Sequence, residues 1–541
     1  MRYLILSLLW ILMAVIVNPA GEFPLNDDWA YCKDVSIFTA TGHLEFVNWP
    51  AMTLIAQVLL GSFFCELFGF SFTLLRVVTL ITGLAGVLVS YKLLKQIAPT
   101  GKLAFLASLL IAINPLFFSL SNTFMTDVYF FTFSIISIYF FKQSLDSDKV
   151  IHIVLATAFV IITSLIRQIG IVFPMAFAIA YLYKSASFKM GGLLKAATPP
   201  LLTGLSLFLY SQWLSASQPE LTSFISTKTA ISIIGPKIFE RAFFTIGSGG
   251  MSLGLFLFPL LILTLPSFLR DVLKKEHRLS LLFTGIMLVP LVRAWTNIPR
   301  GNVFYNLGLG PKLLKDTYIL DINTLPELNG TGLLFLRVFC FAGAILLFYS
   351  LFSFIFSLRR ASREHISFNA QTIRLFALAA IVLLFGTFII PVFFFDRYLI
   401  QLMIPLFIII LPRVSGVDFK KVFGFISIAT IIVFGLFSIG ATHDYLAWNR
   451  ARWEAVDFLL NDMKIMPEEI DGGFEFNAWY ETGEQNDGKT KSWWFVDKDD
   501  YLISFGPIPG YELIQKFPYR QYLPFETRHI HVQRKLLLNA E

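Results

Sequence analysis

The sequence predicts an all-α polytopic membrane protein with about thirteen transmembrane helices and a small extracytoplasmic α/β domain at its C-terminus. Three observations predict it. Of the 541 residues, 56% are hydrophobic and only 15% are charged, against about 25% charged in soluble proteins. Apolar runs recur along the chain, each long enough at roughly 17–25 residues to cross a bilayer as a helix. Past residue 441 the composition turns polar and rich in tryptophan, with Trp448, Trp453, Trp479, Trp493 and Trp494.

The expected spans are 3–19, 73–92, 102–120, 125–141, 150–166, 168–184, 193–214, 250–269, 279–295, 332–357, 373–392, 397–412 and 422–441. The first follows Arg2 and ends at Val17 before Asn18-Pro19-Ala20. It reads as a signal peptide or as an uncleaved helix. The uncleaved helix is preferred, because the acids that follow are useful only if held against the bundle. The residues around Arg167 read as one long helix or two short ones. The stretch 48–70 reads as interfacial helices on the outer face, opening at Asn48-Trp49-Pro50, a helix start with an aromatic at the interface.

Charge sets the orientation. Lys92, Lys95 and Lys102 share one loop. Lys142 and Lys149 share the next on that side, followed by Lys184, Lys189 and Lys195. Arg270, Lys274, Lys275 and Arg278 come after, then Arg359, Arg360, Arg363 and Arg374, then Arg413, Lys420 and Lys421. All fall on one side of the bundle, which the positive-inside rule makes cytoplasmic. The net charge of +7 is thus spread over short loops and does not point to nucleic acid. The opposite side holds the outward loop 20–72, the Met125-Thr126-Asp127 turn, loops near 215–249 and 296–331, the Asp396-Arg397-Tyr398 turn and the tail. The domains expected are 1–441, transmembrane, and 442–541, extracytoplasmic.

In that tail, 443–463 reads as an amphipathic helix, and 473–480, 492–497, 501–505 and 529–533 alternate like strands. Gly472-Gly473, Asp487-Gly488 and Pro507-Ile508-Pro509-Gly510 read as turns.

The chemistry points to the outward acids. Asp27 and Asp28 are adjacent, at the membrane boundary, where neighbouring carboxylates repel and cost energy. Asp127 is the only acid between Lys102 and Asp146. Acids facing one cleft suit a general base with a helper that orients an acceptor; Asp127 alone equally suits a helix cap. Arg167 interrupts a long apolar run with no acid nearby in sequence. Arg397 sits beside Asp396 and Tyr398, and Arg76 opens the second span. A buried arginine needs an anion, and its fork matches phosphate oxygens; for Arg397 a local pair with Asp396 is the alternative.

Other features carry less. Gly247-Ser248-Gly249-Gly250 reads as a loop before a helix and not a phosphate cradle, since no strand precedes it. His43, His529 and His531 lack metal-ligand partners at useful spacing. Cys32, Cys65 and Cys340 form no metal spacing; a Cys32–Cys65 bridge and unpaired thiols are the two readings. Asn329-Gly330-Thr331 fits a glycosylation acceptor pattern that also arises by chance.

An outward Asp-Asp in loop one, a second Asp after the third span and an Arg-Tyr turn before a late helix make a set that resembles the GT-C superfamily of integral-membrane glycosyltransferases. Within it the chain resembles bacterial relatives of protein O-mannosyltransferases and the lipid A aminoarabinose transferase (glycosyltransferase family 39-type). The resemblance covers the membrane part. It is strongest from Leu25 to Gly86, through Asp27-Asp28, Trp49-Pro50, Phe68-Gly69-Phe70-Ser71 and Leu75-Arg76, and again at Asp127. The usual signature is Asp-Glu, so Asp28 is one methylene shorter. Tyr445 to Trp453 and Asp471-Gly472-Gly473-Phe474 also look like the end of such proteins.

The resemblance implies a GT-C fold and transfer of a sugar from a polyprenyl-phosphate donor to a lipid, glycan or protein acceptor outside the membrane. It implies Asp27 as the base or its close partner, Asp28 beside it and Asp127 as an orienting acid. It implies Arg397, Arg167 and Tyr398 at the donor phosphate, with Arg76 and Trp49 as possible substrate contacts. One carboxylate for in-line attack implies inversion. No cofactor is required by this logic, though paired acids could hold a divalent metal weakly. The setting implied is a bacterial inner membrane. Two alternatives are a transporter or flippase for lipid-linked glycans, which should show inverted repeats and mid-membrane charges, and an O-antigen ligase or polymerase, which would lean on a large outward loop rich in Arg and His. The 215–249 loop carries only Lys228, Lys237 and Arg241.

Overall fold

The computed structural model describes residues 1–185, 189–219, 221, 238–299, 303–304, 307, 330–358, 368–389, 394–414, 421–480, 496 and 498–536. Several expected features lie outside these residues: Lys228, Lys237, Asn329, Arg359, Arg360, Arg363, Lys420, Asp487-Gly488, Trp493 and Trp494.

The chain is built from helices, with one small sheet near the C-terminus. The helices are α1 (Arg2–Val17), α2 (Asp28–Thr41), α3 (Ile55–Phe68), α4 (Phe72–Leu94), α5 (Gly101–Ala112), α6 (Pro115–Ser121), α7 (Thr126–Ser147), α8 (Val150–Ile166), α9 (Val172–Ser185) and α10 (Met190–Ser217). They continue as α11 (Ile238–Phe256), α12 (Phe258–Val272), α13 (Arg278–Ala294), α14 (Gly330–Leu358), α15 (Phe368–Ile389), α16 (Met403–Ile410), α17 (Val422–Asp457) and α18 (Phe474–Tyr480). Among the described residues nine helices are long and apolar enough to cross a membrane, or up to 11 if each bent pair is one span. The chain is an integral, multi-pass membrane protein. Each of the expected spans falls on a helix or a bent pair, with α1 and α8 among the shorter apolar helices.

Local sequence explains the starts and breaks. Ser71 and Thr100 cap α4 and α5 by accepting the Leu74 and Leu103 backbone N–H groups, as hydroxyl caps do. Asn114 caps α6 with Pro115 next to it; proline fits the first helical turn but stops the preceding one. α5 and α6 therefore meet at a 56° bend. The run around Arg167 is two helices, because Arg167 is extended and a short 3₁₀ turn, Gln168–Ile171, follows it.

Four expectations are corrected. Trp49-Pro50 does not start a helix; α3 begins at Ile55, and Val47 is instead tied down through its N–H to Asp34 Oδ1 at 2.7 Å. The span 250–269 is not continuous: α11 starts earlier, and α12 leaves it at a 74° bend ahead of Pro259. Gly247-Ser248-Gly249-Gly250 lies inside α11. Its glycines serve helix contact, since a Cβ at Gly247 would stand 2.2 Å from the Pro290 carbonyl oxygen. The alternating stretch 473–480 is the helix α18, because Asn477 and Asp471 close a hydrogen-bonded knot at its start.

The amphipathic helix expected at 443–463 is the end of α17, which runs unbroken from Val422 through residue 441. Against it lies a four-stranded sheet of order β1-β2-β4-β3, with β1 Ile470–Asp471, β2 Tyr501–Ser504, β3 Tyr511–Tyr522 and β4 Phe525–Lys535. β1 and β2 are parallel, and the other pairs are antiparallel. Asp444 on α17 accepts the N–H groups of Tyr522 and Leu523 at 2.7 and 2.8 Å, and the His443 ring stacks on Tyr522. The hairpin tip is thus fixed to the helix that leaves the bundle.

Candidate active site

Loop one is fixed before its acids are aimed. Arg76, on α4, donates Nη1 to the carbonyl oxygens of Pro19 and Gly21 at 3.0 and 2.8 Å, and Nη2 to that of Phe23. Glu22 accepts from Ser71, Phe72 and Thr73. Burial alone would raise its pKa, but the Thr73 and Ser71 hydroxyls and the two amides hold it below the usual carboxylate value. Asp28 is 1% exposed. Its Oδ1 accepts the Leu25 N–H at 2.5 Å and its Oδ2 accepts the Phe124 N–H at 2.9 Å. Burial pushes its carboxyl up to about 7, against the pull of Arg76 and those two amides. Asp28 therefore pins loop one to the turn that starts α7.

That pin brings Asp27 to Asp127. Asp127 lies in the first turn of α7, fully buried, beside the cap residue Met125. Its Oδ2 is 3.0 Å from Arg167 Nη2 and 4.0 Å from Arg397 Nε. Neither contact is an aligned hydrogen bond, so the cluster is held by charge more than by geometry. Arg167 is oriented by its Nε bond to Thr126 Oγ1 at 2.7 Å. Arg397 reaches the other way, with Nη2 3.0 Å from Asp27 Oδ2. The Asp27 side chain keeps 16% exposure, whereas that of Arg397 keeps 4%. Trp49 donates its indole N–H to Asp27 Oδ1 at 3.3 Å. The Tyr398 ring lies within 6.0 Å of both guanidinium groups.

The expected site residues thus divide in two. Asp27, Asp127, Arg167, Arg397, Tyr398 and Trp49 come together. Asp28 and Arg76 do not face this cluster; they secure the backbone of loop one. Asp27 and Asp28 point to separate partners, which does not suit a shared cation. Among the described residues no three His, Cys, Asp or Glu side chains gather as a metal site. Arg397 is not paired with the side chain of Asp396 as its neighbour in sequence suggested. Asp396 turns back to accept the N–H groups of Phe304, Arg397 and Val303, the last two at 2.8 and 3.4 Å. The three cysteines are free and buried.

Sequence reasoning missed two contributors. Gln401 donates to the Asp127 carbonyl at 3.3 Å. Glu475 accepts the Asn26 N–H at 2.8 Å across a separation of 449 residues. The only sequence signal for Glu475 is its place next to the Asp471-Gly472-Gly473-Phe474 segment.

With this geometry in place, comparison with known proteins gives one family match, over part of the chain. Residues 56–215 match the family described as dolichyl-phosphate-mannose-protein mannosyltransferase. This segment runs from α3 to the end of α10 and includes Asp127 and Arg167. The resemblance to GT-C glycosyltransferases stated from the sequence is borne out by this match. No curated protein matches the chain. Among solved structures, ArnT from Cupriavidus metallidurans bound to undecaprenyl phosphate is similar over 98% of this chain and 97% of its own, at 12% identity and a TM-score of 0.40. The S. cerevisiae protein O-mannosyltransferase Pmt1–Pmt2 complex is similar at 14% identity and a TM-score of 0.33. That likeness covers 41% of this chain and 34% of the yeast chain. Arabinosyltransferase EmbB from Mycobacterium smegmatis is similar over 83% of this chain and 42% of its own, at 14% identity and a TM-score of 0.34.

Proposed function

We propose that the chain transfers a sugar from a polyprenyl-phosphate donor to a hydroxyl on a lipid, glycan or protein acceptor, with inversion, at the extracytoplasmic face of a bacterial inner membrane. The observation that carries this reading is the line of charge Asp27–Arg397–Asp127–Arg167. It combines a partly open carboxylate with two buried guanidinium groups. The Nη1 of Arg397 has no hydrogen-bond partner among the described residues. A buried, unspent guanidinium donor is costly, and a phosphate oxygen is a strong partner for it.

The chemistry follows from the charges. The acceptor oxygen attacks the anomeric carbon from the face opposite the phosphate. Its proton passes to Asp27, and the bond from C1 to the phosphate oxygen breaks with its electron pair kept by the phosphate. Arg397 and Arg167 offset the charge that develops on that leaving group. A donor phosphate at Arg397 draws on the same guanidinium that Asp27 holds. Asp127 keeps both arginines in register. In this reading residues 1–441 form the transferase unit and 442–541 an extracytoplasmic unit. The basic loops on the opposite side support that orientation.

The test is transfer by the purified protein in nanodiscs, followed as release of polyprenyl phosphate from lipid-linked sugars. Asp27→Asn should lower turnover by about 10²- to 10⁴-fold at an unchanged melting temperature. Wild-type turnover by that variant would end the assignment of Asp27 as base.

A further inference from the structure

We propose that Glu475 is a positioning residue for Asp27, so that the segment after α17 sets the aim of the candidate base; this rests on the reading of Asp27 above. The residue next to the base, Asn26, has φ +56°, a left-handed conformation that Asn tolerates better than most side chains but that must be held by its surroundings. Two bonds hold it. Its own side-chain oxygen accepts the Asp27 N–H at 2.9 Å. Its backbone N–H goes to Glu475 Oε1 at 2.8 Å.

Glu475 is in turn fixed. Its Oε2 accepts from Arg452 Nη1 at 2.9 Å, and the Arg452 side chain is fully buried on α17. The α18 turn that carries Glu475 is closed by Asp471 Oδ1, which accepts from Gly473 N and Asn477 Nδ2 at 3.2 and 2.9 Å. A second contact runs in parallel. Phe474 packs on Trp49 with ring centroids 5.6 Å apart, and Trp49 donates to Asp27. Lys33 Nζ also donates to the Trp479 carbonyl at 3.3 Å. The first turn of α18 therefore reaches Asp27 by two routes, through the Asn26 backbone by Glu475 and through Trp49, which Phe474 packs against and which donates to the Asp27 carboxylate. Neither Glu475 nor Arg452 touches the Asp27–Arg397–Asp127 cluster itself.

A positioning role moves turnover more than donor affinity, because neither Arg397 nor Arg167 is itself substituted. Loss of Glu475 alone would strand a buried Arg452, so the informative variant removes the pair: Glu475→Leu with Arg452→Met, a replacement that buried ion pairs often tolerate. Its kcat is expected to fall by about 10- to 100-fold, the scale of a misplaced reacting group, with donor KM and melting temperature near wild type. Glu475→Gln with Arg452→Met keeps an oxygen for the Asn26 N–H, strands no buried charge, and should recover most of the turnover. Hydrogen–deuterium exchange over residues 22–30 should be faster in the paired variant and near wild type in Glu475→Gln with Arg452→Met. Unchanged exchange in the paired variant overturns the proposal whatever the activity. Wild-type turnover by Asp27→Asn would instead overturn the base assignment, and exchange over 22–30 would still judge the tie from Glu475.

Discussion

Arg397 Nη2 and Asp27 Oδ2 stand 3.0 Å apart although 370 residues separate them in sequence. The pair joins the first outward loop to the turn before a late span, and Arg397 Nε faces Asp127 as well. One buried guanidinium therefore neutralises two acids. Arg397→Ala should weaken donor binding by about 10- to 100-fold, the equivalent of one charge-assisted hydrogen bond of about 1.5–3 kcal/mol. Isothermal titration or fluorescence binding with a polyprenyl phosphate reads it directly. Unchanged affinity removes Arg397 from the phosphate site.

Arg167 and Asp127 make a different kind of pair. Both are almost free of solvent. Breaking a buried pair by removing one member costs about 3–5 kcal/mol, whereas removing both costs much less. Arg167→Met should thus lower the melting temperature in detergent strongly, and Arg167→Met with Asp127→Asn should recover part of it. Arg397, 4.0 Å from Asp127, softens the single loss. A double variant no more stable than the single one would show that Arg167 is held by packing and by Thr126 more than by charge.

Much of this site was legible one residue at a time, and little of it as a constellation. Asp27, Asp127, Arg167 and Arg397 stand out because charge is rare in apolar sequence. Pairing them needs tertiary contacts, and Arg397 shows why: its neighbour Asp396 looks like the natural partner, yet Asp396 caps a backbone turn. Asp28 looks like half of a catalytic pair, but a carboxylate beside a turn finds backbone amides first. The spans were readable because apolar length alone specifies them. The bend into α12 and the late start of α3 were not, since both depend on what the break packs against. Strand-like alternation over 473–480 misled because eight residues fit either period, and the Asp471–Asn477 knot decides for helix.

Asp28 also gives the protein a pH dependence. Its folded carboxyl is raised to about 7 from 3.8 by burial. The folded state therefore holds a proton that the unfolded chain releases near pH 4. Stability from this group is fully present below about pH 4 and is lost as pH rises towards about 7. Asp28→Asn has no such titration and should keep one of the two backbone bonds. The melting temperature of wild type minus that of the variant should fall steadily between about pH 4 and 7. A constant difference over that range would mean that Asp28 is ionised throughout.

The packing of the later helices makes the sharpest structural test. A Cβ built on Gly254 of α11 would lie 2.3 Å from the Ala344 nitrogen and 2.6 Å from the Cys340 carbonyl oxygen, both backbone atoms of α14. The reverse holds too, since a Cβ on Gly343 would lie 2.1 Å from the Gly254 oxygen. The two helices cross with their backbones in contact, as small residues permit in membranes. Backbone cannot turn aside as a side chain can, so Gly254→Ala must separate the helices. It should cost about 1–3 kcal/mol or more and lower the melting temperature in detergent. Gly285 on α13 supplies the control, because a Cβ there would meet nothing within 4 Å. Gly285→Ala should be neutral or stabilising by up to about 1 kcal/mol, the helix propensity difference. If both substitutions behave alike, the close crossing of α11 and α14 is not a feature of the folded protein. If only Gly254→Ala is destabilised, the crossing is real, and Gly247 and Gly250, which face Pro290 and Phe348 from the same helix, are there for the same reason.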